Sequence, residues 1–152
     1  MRTDRLTTRI SIALGDAGLK TVGKLNVPLY RATRGRLGGK VGGSPVLLLS
    51  TTGRRSGQRR TAPVVYMRDG ERYVVIGSNA GNERTPAWSL NLQANPNAEV
   101  ELGGRSQAVF ARVAEGDERA DLWRRINERY RGFDDYDART KRDIAVFVLE
   151  RK

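Results

Sequence analysis

The stretch Val46–Met67 constrains this chain more than any other. It reads VLLLSTTGRRSGQRRTAPVVYM, two apolar runs on either side of a polar loop. Val46–Leu49 and Val64–Met67 are short, rich in β-branched residues and bounded by turn formers, which is the pattern of two strands joined as a hairpin. The loop between them places Thr51, Thr52, Gly53, Ser56 and Gly57 among Arg54, Arg55, Arg59 and Arg60. Glycine lets backbone approach a ligand closely. Guanidinium forks suit a phosphate or carboxylate, which they grip bidentately. An anionic ligand is expected here, with nucleic acid or a merely solvated loop as alternatives. Few aromatics interleave with the arginines to stack bases, so no nucleic-acid partner is expected.

The placement of charge supports the loop. Residues 1–60 hold 13 Lys/Arg against Asp4 and Asp16, a balance of +11, while residues 61–152 hold 15 basic and 15 acidic groups, a balance of zero. A localised positive field attracts an anionic ligand, lipid surface or polymer. The chain has no cysteine and no histidine. That removes disulfide and thiol chemistry, the commonest metal ligand and the commonest general base. A metal site and a Ser-His-Asp triad are therefore not expected. At 152 residues, 38% hydrophobic and 30% charged, the chain fits a soluble domain. It lacks an apolar run of about 18–20 residues and a secretory leader, so the expected location is cytoplasmic.

Residues 4–21 carry Leu6, Ile10, Ala13, Leu14 and Ala17 at helical spacing beside Arg5, Arg9 and Lys20. Such a basic amphipathic helix packs on its own domain or lies on an anionic membrane surface. The six glycines of 22–45 argue against a regular element and for a basic linker or lid over a ligand. The chain thus divides into a basic helix and Gly-rich lid or linker, 1–44, and a ligand-binding domain, 45–152.

Strands are expected at 46–52, 61–68 and 72–78, the last two joined at Asp69-Gly70. A short helix follows, with Thr85 as N-cap and Pro86 at its first position, ending near Ala94. Within it Trp88 and Leu92 share one face, and Ala87 and Asn91 another. A second hairpin, Glu99–Leu102 with Ser106–Val113, turns at Gly103-Gly104. Asp117 should cap a helix running to about Arg131, with Ala120, Trp123, Ile126 and Tyr130 as its apolar face. Ile144–Leu149 reads as a final strand. About six short, mostly hairpin-linked strands with flanking helices make a mainly β (α+β) fold, an antiparallel β-barrel.

Two further groups invite a ligand reading. Trp88 and Asn91 could pack against and hydrogen-bond a flat heteroaromatic ring, although a Trp there is ordinarily core and an Asn ordinarily a cap or surface residue. Tyr130, Phe133 and Tyr136 either close the barrel mouth or wall a pocket, where a tyrosine hydroxyl can donate a proton.

The segments TTGRRSGQRRTAP and NERTPAWSLNLQANP, in that order and spacing, resemble the deazaflavin-dependent nitroreductase family of actinobacteria over about residues 25–150. The resemblance implies a split β-barrel that binds coenzyme F420, an 8-hydroxy-5-deazaflavin with a phosphodiester and an oligoglutamate tail. It implies an F420H2-dependent oxidoreductase that delivers a hydride to a small quinone, nitroaromatic or enone. Carried over by motif, Arg54, Arg55, Ser56, Gly57 and Arg60 would hold the phosphate and tail. Thr61, Ala62 and Pro63 would border the deazaflavin through backbone contacts. Ile76, Gly77, Ser78 and Asn79 would offer N–H groups along its edge. Ala87, Trp88, Ser89, Leu90 and Asn91 would line the ring and linker, with Phe133 beside them. Ser78, Tyr66, Tyr130, Phe133 and Tyr136 would surround the substrate, and the Tyr130 or Ser78 hydroxyl would meet the oxyanion. A monomer or weak dimer is implied, with peripheral membrane contact through the N-terminal helix. A split barrel that binds F420 or flavin mononucleotide without much catalysis is the alternative.

Overall fold

In the computed structural model, residues 27–35, 40–41, 44–77, 85–129 and 144–152 are described. The elements run α1 (27–32), β1 (Lys40–Val41), β2 (Ser44–Thr52), β3 (Arg59–Asp69), β4 (Arg72–Ile76), α2 (Ala87–Ala94), β5 (Asn97–Leu102), β6 (Arg105–Val113), α3 (Gly116–Arg129) and β7 (Val146–Arg151). β2 pairs with both β3 and β5. That closes β2–β3–β4–β7–β6–β5 into a barrel in which every neighbour is antiparallel, with β1 added beside β2. The hairpin pattern pointed to this antiparallel barrel, and the family resemblance implied its split-barrel form.

Side-chain alternation sorts the core into two layers. Leu47, Leu49, Val64, Tyr73, Val75, Val100, Val109, Phe147 and Leu149 fill the barrel, joined by Leu92 from α2. The intervening Val74, Ile76, Val146 and Val148 point outward and are covered by Leu122 and Ile126 of α3. β4 and β7 are thus buried on both faces, which is why they read as unbroken apolar runs. β5 and β6, with one face open to water, alternate. Truncating a fully enclosed leucine such as Leu49 to alanine should cost about 2–5 kcal/mol.

The two ends of the barrel are closed by different helices. α2 seals one end, with Leu92 in the core and the Trp88 ring 5.8 Å from that of Phe147. At the other end α1 buries Tyr30, whose hydroxyl donates to the Glu101 carbonyl oxygen at 3.2 Å. Desolvation raises the Tyr30 pKa. The helix stops in a left-handed cap, where Gly35 (φ 84°) donates its N–H to the Tyr30 carbonyl at 2.8 Å.

Several expectations need correction. Residues 27–32 form a helix despite the glycines that follow, because Pro28 suits a first turn and Tyr30 gains burial. α2 begins one residue later than expected: Pro86 occupies the N-cap position without a side-chain cap, so Thr85 does not cap it. Ala87 and Asn91 do not share an environment, since Ala87 is exposed and Asn91 buried. α3 begins at Gly116, leaving Asp117 in its first turn, where its charge complements the helix dipole. Leu122 rather than Ala120 joins Ile126 in the buried face, and Trp123 packs at its margin. The strand at Ile144–Leu149 instead spans Val146–Arg151. The expected helix at 4–21 lies outside the described residues.

Candidate functional site

The arginine loop hangs from the α2 end of the barrel. β2 and β3 stay paired to Thr52↔Arg59, and the cross-strand hydroxyls of Ser50 and Thr61 are bonded at 2.8 Å. β5 leaves β2 earlier, after Ser50↔Glu99. Where it departs, a groove of about 310 Å³ opens, lined by Thr51, Thr52, Gly57, Arg59 and Glu99 among others. This opening in the barrel wall lies directly against the loop.

The loop is tightly ordered by its own backbone. Gly53 donates to the Gln58 carbonyl at 2.7 Å, Gly57 to the Gly53 carbonyl at 2.8 Å, and the Gln58 N–H to Ser56 Oγ at 3.2 Å. A Cβ at Gly53 would sit 2.6 Å from Ser56 Oγ, so only glycine fits this closure. Gly57 takes a left-handed φ of 70°. The Arg54 N–H is engaged from below by Asn91 Oδ1 at 3.1 Å.

What remains open is the useful part. Among the described residues, no group accepts from the N–H of Arg55 or Ser56. Ser56 Oγ accepts one bond, which leaves its own proton free to donate. Arg54, Arg55 and Arg60 are exposed and make no ion pair among the described residues. Arg59 differs from them, for it pairs with Glu99 at 3.0 Å. Three exposed arginine side chains, two N–H groups and a hydroxyl proton therefore lie within residues 54–60, open to a ligand. Chemically this is a cradle for a multiply charged oxyanion.

The other expected site residues fall into three sets. Thr61, Ala62 and Pro63 lie on β3 beside the loop, on a stretch that no strand pairs on the β4 side among the described residues. Their backbone therefore borders an edge, the setting in which a strand proline is tolerated. Ser89 is buried against Gly77, where an added Cβ would lie 2.9 Å from Ser89 Oγ. Gly77 cannot supply a ring donor as expected, because its N–H already bonds the Ala145 carbonyl at 2.9 Å. Ile76 turns its side chain into the layer beneath α3. Leu90 is half-buried and Ala87 exposed on α2.

Tyr66 stands apart from the loop. It sits six residues beyond Arg60 on β3, roughly 20 Å along the strand. Its ring meets Tyr73 edge-on at 5.7 Å, and burial raises its pKa. Ser78, Asn79, Tyr130, Phe133 and Tyr136 lie outside the described residues. Among the described residues no group of metal-ligating side chains occurs, and no helix is long and apolar enough to cross a membrane.

Asn91, expected from the sequence to line the ring and linker, bonds the Arg54 N–H of the loop. One neighbour of the loop was not singled out from the sequence: Glu99, whose available signal was an acid alternating with Glu101 on a strand that must lie near a basic hairpin.

Residues 22–151 match the family described as F420H(2)-dependent quinone reductase. An F420H(2)-dependent quinone reductase of Mycobacterium tuberculosis is 38% identical over 133 residues, which cover 85% of this chain and 89% of that one. A solved F420-H2 dependent reductase, FDR-A, is 34% identical with a TM-score of 0.64, covering 70% of this chain and 94% of that one. A structure described as a domain-swapped dimer is also 34% identical, again with a TM-score of 0.64, over 70% of this chain and 80% of that one.

Proposed function

The chain belongs to the F420H(2)-dependent quinone reductase family, and on that premise we propose that it is an F420-dependent oxidoreductase that reduces a small quinone, its arginine loop holding the cofactor's anionic end. Bound and reduced, the deazaflavin supplies a hydride. The observation that carries the reading is the cradle itself: Arg54, Arg55 and Arg60, together with the N–H groups of Arg55 and Ser56, have no partner among the described residues. A phosphodiester followed by several carboxylates matches that donor set in charge and in hydrogen-bonding chemistry.

The residues divide the work by position. Arg54, Arg55 and Arg60 bind charge, and the Ser56 hydroxyl and N–H orient one phosphate oxygen. The excess of +11 in residues 1–60 draws the anion toward the loop before contact. The β3 edge at Thr61–Pro63 borders the flat ring, and Trp88 and Ser89 keep α2 seated beneath it, closing that end of the barrel to water. The hydroxyl of Tyr130 or of Ser78 meets the developing quinone oxyanion and gives up a proton there. Nitroaromatics and activated enones, which also develop oxyanions, are further acceptors on this reading.

Titration with F420, followed by Trp fluorescence, should give saturable binding at micromolar levels. Menadione should then be consumed by F420H2 only in the presence of the protein. Binding without turnover would leave a cofactor-binding split barrel, and equal preference for flavin mononucleotide would sink the assignment. Tyr130→Phe should lower kcat while leaving F420 affinity unchanged. Loss of both together would assign Tyr130 to the fold.

A further inference from the structure

Resting on the reading of the loop as the holder of the cofactor's charged tail, we propose that Asn91 is a positioning residue that sets the loop through the backbone of Arg54 without itself touching the cofactor. Both ends of its amide are engaged inside the protein. Oδ1 accepts the Arg54 N–H at 3.1 Å, and Nδ2 donates to Thr51 Oγ1 at 3.1 Å. A backbone N–H can only donate, so the amide orientation is fixed by this pair. Only 3% of Asn91 is exposed, which leaves no face for a ligand ring.

The strut joins two otherwise separate parts. Its lower end stands on a helix anchored by Leu92 in the barrel core, by the Trp88–Phe147 contact and by Ser89 against Gly77. Its upper end holds the first residue after Gly53, where the chain leaves β2 and begins the loop. With the Arg54 N–H drawn toward α2, the next two N–H groups, of Arg55 and Ser56, are the ones left without a partner among the described residues. A loop tied at this point presents its donors already arranged, so little ordering cost falls on ligand binding. Thr51, only 2% exposed, completes the strut, its hydroxyl accepting from the Asn91 amide.

Three readouts on the full chain test this. The first compares F420 with its chromophore lacking phosphate and tail. Asn91→Ala should weaken F420 about 30-fold and the tail-less chromophore less than about twofold, since only the tail senses the loop. Equal weakening of both ligands would mean direct ring contact or general damage, and would overturn the proposal. The second variant, Thr51→Val, leaves Asn91 in place but unties it, and should produce the same asymmetry at about 5-fold. A Thr51→Val protein that binds both ligands as the unmutated chain does would also overturn it. Amide hydrogen exchange on the unmutated protein supplies the third, independent of any folding defect. The Arg54 amide should exchange at least about 100-fold more slowly than those of Arg55 and Ser56, despite its exposed side chain. Similar rates at all three would mean the strut does not form. If the unmutated protein takes up no F420, the reading of the loop fails instead, whatever the exchange rates are.

Discussion

Arginines around the 53–60 loop and arginines along α3 stand in opposite electrostatic settings. On the α3 side most of the cations have a carboxylate, while Arg119 donates to the Ile144 carbonyl and lies over the Trp123 ring. Arg112 reaches both Glu118 and Glu150, Arg125 reaches Asp69 and Asp121, Arg124 reaches Asp121 and Glu128, and Arg72 reaches Asp69. These pairs link the β3–β4 turn, β6 and β7 to the helix that covers them. At the loop, Arg54, Arg55 and Arg60 are left without a counter-charge among the described residues. Neutralised guanidinium groups hold elements together, whereas unneutralised ones crowd a turn at an energetic cost that an incoming anion relieves. The charge balances of +11 for residues 1–60 and zero for 61–152 are the same contrast in sequence form.

The largest expected effect breaks the loop side alone. Arg54→Ala with Arg55→Ala should lower F420 affinity at least about 100-fold, at 1.5–3 kcal/mol per charge-assisted contact. Its Tm should stay within about 2 °C, because no protein partner is lost. Intact affinity would refute the cradle, and a fall in Tm would show that these arginines are structural after all.

The mirror experiment is Asp69→Ala, which strips Arg125 and Arg72 of a largely covered carboxylate. It should cost about 1–3 kcal/mol of stability by urea titration while F420 binding holds within twofold. If binding falls in step with stability, the two regions are not separable and the comparison fails.

Acid should act on the paired region first. The Arg125 guanidinium, seconded by Arg72, holds the Asp69 carboxyl below its ordinary range against the opposing effect of burial, and Arg112 does the same for Glu118. A carboxylate with a depressed folded pKa contributes stability above its unfolded value, and that contribution disappears as pH falls through the folded one. Tm should therefore decline as pH drops below about 4. Asp69→Asn should flatten part of that decline, and an unaltered profile in this variant would remove Asp69 from the account.

Arg59 belongs to both groups, a loop arginine already held by Glu99, and provides the finest test. Both side chains are substantially exposed, so the pair is worth little in itself. Glu99→Gln should free Arg59 and tighten F420 about 2–4-fold at low salt, with the gain gone at 0.5 M salt. Weaker binding instead would mean Glu99 supports the site.

Much of this was legible without coordinates. The hairpin around the loop, the Asp69-Gly70 turn and the β5–β6 hairpin follow from period-two patterning bounded by turn residues, and strand bounds differ by only a few positions. α1 was obscured because the glycines after Arg34 dominate its window, while its stability comes from one buried tyrosine contacting residues far along the chain. The bonds that Asn91 and Glu99 make to the loop region were hidden for a similar reason: each partner lies about 40 residues away in sequence.

By itself the sequence determined which segments become strands, where positive charge accumulates, and that thiol and imidazole chemistry are absent, since these depend on residue identity and short-range spacing. Only the tertiary structure decided which arginines keep their charge available. That depends on whether closing the barrel brings a carboxylate within reach, as β5 does for Arg59 and α3 does for Arg112 and Arg125. Ion pairing falls off over a few ångströms, so a charge becomes a binding group or a brace according to contacts that chain order does not encode.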